Sequence, residues 1–186
     1  LSSPPALPSY KQVLEVYRSE NLQEIDLTEP LVWQAEIISE KSDRSICQFV
    51  DRTDPSTLPF STSAFQFNAL GGTNWQYPGQ WVSWKVIAPQ TGLYRLGFRV
   101  LQNFKSGQSV TRVLKINGEV PFREAAEITV AYDGGWQPLV FGNDGTEFLV
   151  KLNKGENLIT LEASLGNFAS VLTEVKGILE HLNDAY

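Results

Sequence analysis

Residues 80–102 read QWVSWKVIAPQTGLYRLGFRVLQ. In the first part of this stretch Val82, Trp84 and Val86 alternate with Trp81, Ser83 and Lys85. A period of two places the first three on one face of a strand and the other three on the opposite face. Turn residues follow, and then a second alternating run from Gly92 through Arg95 and Arg99 to Gln102. The rhythm continues downstream. TRVLKINGE (111–119) turns Leu114 and Ile116 inward and ends on Asn117-Gly118, the strongest short hairpin signal. EITVAY (127–132) precedes the turn Asp133-Gly134-Gly135, and FLVKL (148–152) and NLITLEA (157–163) flank a turn at Asn153–Gly155. Short strands separated by Gly, Pro, Asn and Asp predict an all-β chain, an antiparallel sandwich or barrel.

Upstream, LVWQAEII (31–38) carries β-branched and aromatic residues and is expected to be the first strand, with Trp33 in the core. Residues 39–63 are polar with two prolines and read as a long excursion holding a short strand at Ile46–Val50. AFQFNAL (64–70) alternates and predicts another strand. Residues 9–20 predict a helix that Ser9 caps, with Tyr10, Val13, Leu14 and Tyr17 on one stripe. Residues 168–186 predict a second helix, because Val171, Leu172, Val175, Ile178, Leu179 and Leu182 recur at three and four. Three segments follow: an arm and helix over 1–30, a sandwich over 31–166, and a terminal helix over 167–186 leading toward a further domain. The absence of Met from the chain predicts a processed or internal piece of something longer.

Composition narrows the function. The formal net charge is -6 and no basic run exceeds two residues, which argues against nucleic acid and anionic membranes. No apolar run approaches the roughly 20 residues that span a bilayer. The lone Cys47 reads as a small packed side chain. Catalysis finds little support. The single histidine, His181, sits on the terminal helical stretch, and one Cys plus one His cannot complete a zinc shell. Gly71-Gly72 and Gly134-Gly135 fall in hairpin-like contexts, not between a strand and a helix as a phosphate loop requires. No spacing points to a pair of hydrolytic carboxylates. The chain therefore reads as a non-enzyme.

Binding is better supported. Trp75, Tyr77, Trp81, Trp84 and Trp136 lie at strand ends or just beyond. An aromatic ring stacks on the C–H face of a pyranose, while Asn, Gln and Arg read its hydroxyls. The candidate carbohydrate-binding set is Asn74, Trp75, Tyr77, Arg99, Gln102, Asn103 and Trp136. Trp84 alternates with two valines and is expected in the core; Trp75 and Trp136 follow glycine turns and are expected to be the most exposed. Arg99, Gln102 and Asn103 extend a strand into a loop, where they either serve a site or satisfy loop carbonyls. Three functions stay open: a carbohydrate-binding module, a structural interdomain module without a sugar ligand, or an accessory domain of a glycoside hydrolase.

The order WQAE, GQWVSWKVIAPQTGLYRLGFRV, VLKINGE, GGW and FLVKLNKGENLITLEASLG over residues 31–166 resembles carbohydrate-binding modules of families 6 and 35. That resemblance implies a jelly-roll sandwich with a galactose-binding-like fold. A further likeness is to the accessory domain of large extracellular solute-binding proteins of Gram-positive sugar ABC transporters. It rests on SDRS, LGGTNW with PGQWVSW, RVLQNF, INGEVPF, YDGGWQ and the closing LNDAY. It implies an extracellular or cell-surface protein, an oligo- or polysaccharide partner and neighbouring domains in a longer parent. The generic module also implies a structural calcium with Glu36, the acid of Gln34-Ala35-Glu36, as a ligand. Its usual acidic partner on the last strand has no equivalent in ASLGNFASV.

Overall fold

The computed structural model describes residues 6–104 and 106–166. The chain opens with helix α1 (Tyr10–Ser19), capped as its sequence dictates. The Ser9 N–H donates to Gln12 Oε1 (2.8 Å) and the Gln12 N–H donates to Ser9 Oγ (3.4 Å), satisfying two donors that the first turn otherwise leaves unpaired. Tyr10 and Tyr17 are the buried side chains of the helix. The Tyr10 ring lies 4.4 Å from that of Phe148 and 4.9 Å from that of Phe122, and its hydroxyl accepts the Leu149 N–H. The helix is thereby docked onto the body of the domain.

The strands are β1 (Glu40–Lys41), β2 (Gln48–Phe49), β3 (Ala69–Leu70), β4 (Trp81–Ala88), β5 (Gly92–Arg95), β6 (Gly97–Val100) and β7 (Val110–Ile116). They continue with β8 (Ile128–Val130), β9 (Gln137–Val140), β10 (Gly142–Asn143), β11 (Thr146–Glu147), β12 (Leu149–Leu152) and β13 (Gly155–Ser164). One layer is the antiparallel five-stranded sheet β1-β4-β13-β7-β8. The other is built from β12 on β5 and β9 on β6. Between those two pairs, Phe141 N–H bonds to the Leu96 carbonyl (2.9 Å) and Phe148 N–H to the Phe141 carbonyl (2.8 Å), carrying the layer past the break at Leu96. The result is an antiparallel β-sandwich, as the alternation predicts, in line with the jelly roll that the family resemblance implies.

The core lies between the layers. Val82, Trp84 and Val86 face it from β4, Leu114 and Ile116 from β7, and Ile159 and Leu161 from β13. Tyr94, Val150 and Leu152 meet them from the second layer. Phe122, Phe141 and Phe148 close one side as an aromatic cluster, with centroids 5.2–5.6 Å apart. The Asn117-Gly118 turn is present, with both residues at positive φ (52° and 87°), but it closes a single bridge, Ile116↔Glu119, rather than a two-stranded hairpin.

Two expected strands are not there. Residues 31–38 turn at Ala35-Glu36, and Leu31, Val32, Trp33 and Ile37 are all exposed. β1 occupies the edge of β4 only at Val82 and Ser83, and residues 31–38 pair with no strand. Trp33, expected in the core, is 42% exposed, and Cys47, read as a small packed side chain, is exposed as well. Of residues 64–70 only Ala69–Leu70 pair, with Gln48–Phe49, and Phe65 and Phe67 stand out from the surface with their rings 5.3 Å apart. Alternation makes a strand only where an unpaired edge waits for it. The terminal helix expected over 168–186 lies outside the described residues.

Candidate functional site

Antiparallel pairing decides which loops meet. Trp81 begins β4 opposite Glu162 near the end of β13, and Ser164 pairs with Thr111 at the start of β7. Val110 in turn pairs with Val130, and Val100 with Gln137. Residues 71–80, 101–109 and 131–136 are therefore gathered at one end of the sandwich. The 50–68 excursion joins them through side-chain bonds.

At this end a cavity of about 340 Å³ is lined by Thr53, Asp54, Pro55, Leu101, Asn103, Gly134, Gly135 and Trp136. Its parts are positioned locally first. Asp133 Oδ1 accepts the Gly135 N–H (3.0 Å), the side-chain turn that Asp favours before glycines. The Asp133 N–H donates to the Gln102 carbonyl (2.9 Å), tying the two loops together. Trp136 follows directly, and its Nε1–H donates to Asp51 Oδ2 at 2.6 Å. Asp51 is buried, and its Oδ1 takes both the N–H (2.7 Å) and the hydroxyl (2.6 Å) of Thr53. Burial pushes the Asp51 carboxyl up, but the donors from Thr53 and Trp136 outweigh it and leave it below the ordinary carboxylate value. The buried amide of Asn68 holds the same segment, accepting from Asp51 N–H (2.7 Å) and donating to the Asp51 and Thr57 carbonyls.

Asp54 repeats the device at the cavity wall. Its Oδ1 accepts the Ser56 N–H (2.8 Å) and hydroxyl, and its Oδ2 accepts from Arg99 Nη2 (2.8 Å). The Ser56 donors, then the Arg99 charge, hold this carboxyl below its usual range. Arg99 also donates to the Ser56 hydroxyl. The cavity thus has a fixed indole, an exposed amide at Asn103, a paired carboxylate and glycine backbone. Those are the groups needed to cover one flat face of a sugar and to bond its hydroxyls.

The structure divides the candidate set. Trp136 and Asn103 are on the cavity wall, and Arg99 is bonded to it through Asp54. Gln102 is buried, and its amide donates to the carbonyls of Phe104 (2.9 Å) and Gln108 (3.3 Å), so it serves the loop. Asn74, Trp75 and Tyr77 belong to a neighbouring loop and do not line the cavity. Asn74 ends a short 3-10 turn, and Tyr77 is 63% exposed. Trp136, expected to be among the most exposed, is half-buried, and so is Trp75. The Trp75 Nε1–H donates to the Gln80 carbonyl (3.1 Å), and its ring packs 6.3 Å from that of Trp84. Positive φ at Gly71 (96°) makes room for this: a Cβ there would sit 3.0 Å from the Trp75 ring. Across the same ring, 4.9 Å from its centroid, lies the Arg112 guanidinium. Burial pushes Arg112 down to about 10. Trp84 is in the core as expected, with Nε1–H donating to the Ala35 carbonyl (2.8 Å). Trp81 lies on the outer face of the five-stranded sheet, in a shallow groove of about 210 Å³ with Lys115 and Thr160.

Sequence reasoning did not nominate Asp51, Asp54 or Thr53. The signal was present as Asp51-Arg52-Thr53 and Asp54-Pro55-Ser56, an acid two residues before a hydroxyl, which marks a side-chain turn. Glu36 presents one buried carboxylate oxygen, Oε2, without a hydrogen-bond partner. Among the described residues no group of three His, Cys, Asp or Glu is placed to hold a metal ion. A hard cation takes six or more oxygens, of which Glu36 is the one carboxylate that the resemblance nominates.

No protein-family model and no curated protein matches the chain. Solved structures resemble it at low identity. A family 35 carbohydrate-binding module from Clostridium thermocellum is 19% identical with a TM-score of 0.49, covering 75% of this chain and 89% of that one. A cycloisomaltooligosaccharide glucanotransferase from Paenibacillus sp., complexed with cycloisomaltoheptaose, is 17% identical with a TM-score of 0.49, over 84% of this chain and 21% of that one. A β-(1,4)-mannanase from Podospora anserina that carries a family 35 module is 16% identical with a TM-score of 0.45, over 72% of this chain and 24% of that one. At such identities a shared scaffold does not carry its ligand with it, and function has to be argued from the site.

Proposed function

We propose that this chain is a non-catalytic carbohydrate-binding domain whose sugar site is the cavity at the loop end of the sandwich. The observation that carries the reading is Trp136: its indole stands on the wall of an open cavity while its N–H is tied to buried Asp51. A ring held in this way loses little freedom when a sugar stacks on it, so binding costs little ordering. Asn103 and Asp54 offer a donor and acceptors to hydroxyls beside the ring. Affinity is expected in the micromolar to millimolar range, roughly -4 to -8 kcal/mol, as befits a small open contact. The wider reading, an accessory domain of an exported solute-binding protein serving a sugar transporter, is supported by the sequence likeness alone. Calorimetry against a panel of plant and bacterial oligosaccharides tests the site. Trp136→Ala should weaken binding by about tenfold or more, whereas Trp75→Ala leaves it in place. Binding unweakened by Trp136→Ala would place the sugar elsewhere.

One observation favours the interdomain reading. Phe65 (76% exposed) and Phe67 (45%) form a T-shaped pair on the surface, close in the chain to Leu58 (61%). In a longer parent those rings are suited to packing on a neighbouring lobe. A chain that binds no glycan, and whose solubility rises when both are replaced by Ser, would favour it.

A further inference from the structure

Resting on the reading of this cavity as a sugar site, we infer that it selects uncharged glycans and rejects uronates. The charges around the cavity decide this. Asp54 lines the wall, Asp51 lies directly behind Trp136, and Asp133 is bonded to Gly135 of the wall. Against these three carboxylates, Arg99 is the cation among the described residues that bonds to a wall residue, and its Nη2 is spent on Asp54 and Ser56. Asp51 is held ionised by neutral N–H and O–H donors, which satisfy the carboxylate without cancelling its charge, whereas Asp54 is paired with Arg99. A sugar hydroxyl entering beside Asp54 or Asn103 finds acceptors and a donor. A uronate carboxylate entering the same space meets a net negative charge, three carboxylates against the Arg99 guanidinium, inside the roughly 8 Å screening length of physiological salt. Arg99 has its Nη2 engaged by Asp54 and Ser56. Discrimination of this kind works by repulsion of the wrong ligand as much as by attraction of the right one.

The test is calorimetry of the full chain at low salt with matched pairs. These are galacto-oligosaccharides against oligogalacturonides, manno-oligosaccharides against oligomannuronates, and xylo-oligosaccharides without and with glucuronate branches. At least one neutral ligand should bind, with its uronate counterpart weaker by about tenfold or more, and the gap should shrink as salt is raised. Asp54→Asn keeps the shape of the wall but removes a charge and releases Arg99; it should bring the two ligands of a pair within about threefold. Asp133→Asn, whose amide oxygen still accepts the Gly135 N–H, should narrow the gap by less and guards against a folding defect in the first variant. A uronate that binds wild type as tightly as its neutral partner overturns the inference. So does a gap that persists unchanged in both variants. Silence from every sugar overturns the carbohydrate reading and this selectivity with it.

Discussion

The five-stranded sheet and the loop end beside it are stabilised by different means. In the sheet, β4 and β13 pair without interruption from Trp81↔Glu162 to Ala88↔Gly155, and Val82 and Leu114 are wholly buried. Backbone ladders and apolar burial account for it. At the loop end the ladders shrink to Gln48–Phe49 on Ala69–Leu70. There the chain is held by polar side chains acting as local backbone: Asp51, Asp54, Asn68, Gln80 and Gln102 each bond main-chain groups. The contrast teaches that the sheet resists most surface change, whereas the loop end depends on a few buried polar atoms that have no substitute partner.

Breaking the core should give the largest effect. Phe122 is fully buried among Tyr10, Phe141 and Phe148, so Phe122→Ala should cost about 3–5 kcal/mol, read as a lowered denaturant midpoint at unchanged m. Asn68→Ala strikes the loop end and should cost about 1–3 kcal/mol, because the Asp51 N–H and the Asp51 and Thr57 carbonyls lose their partner inside. Hydrogen exchange should show protection lost around residues 50–68 while β4 and β13 keep theirs. Trp136→Ala should weaken sugar binding by about tenfold or more, equivalent to about 1.4 kcal/mol, with Trp75→Ala within about twofold of wild type. If Trp75 proved the more important, the two loops would exchange roles.

Acid sharpens the comparison. The Asp51 carboxyl is depressed in the folded chain, so its stabilising contribution is present above its unfolded value of about 3.9 and is lost as pH falls through the lower folded value. Asp51→Asn should therefore be less stable than wild type at neutral pH and flatter in Tm between pH 2 and 5. An identical acid limb in both proteins would show that the ionised Asp51 carboxylate, with its Thr53 and Trp136 donors, contributes nothing. The smallest effect belongs to the sheet surface. Lys85 and Glu156 pair at 3.0 Å with both side chains more than half exposed, and Lys85→Ala should change stability by no more than about 0.5 kcal/mol.

Much of the scaffold was legible in the chain. The alternation of Val82, Trp84 and Val86, the Asn117-Gly118 turn and the Ser9 cap each followed from short-range rules, and each is present. Residues 31–38 and 64–68 satisfied the same rules and did not become strands, since a ladder also needs a vacant edge that the segment itself does not specify. The site was half legible. The turn before Trp136 and the strand exit at Asn103 could be read, and the acids that complete the cavity carried a weak local mark.

Sequence by itself determined the period of the strands that formed, the places where the chain turns and the formal net charge of -6. Tertiary structure alone decided which indole faces a cavity. Trp75 and Trp136 both follow paired glycines, yet one folds back over Arg112 and the other is held by Asp51, 85 residues away along the chain. Burial of a ring is set by what packs against it from distant segments, and no local pattern encodes that meeting.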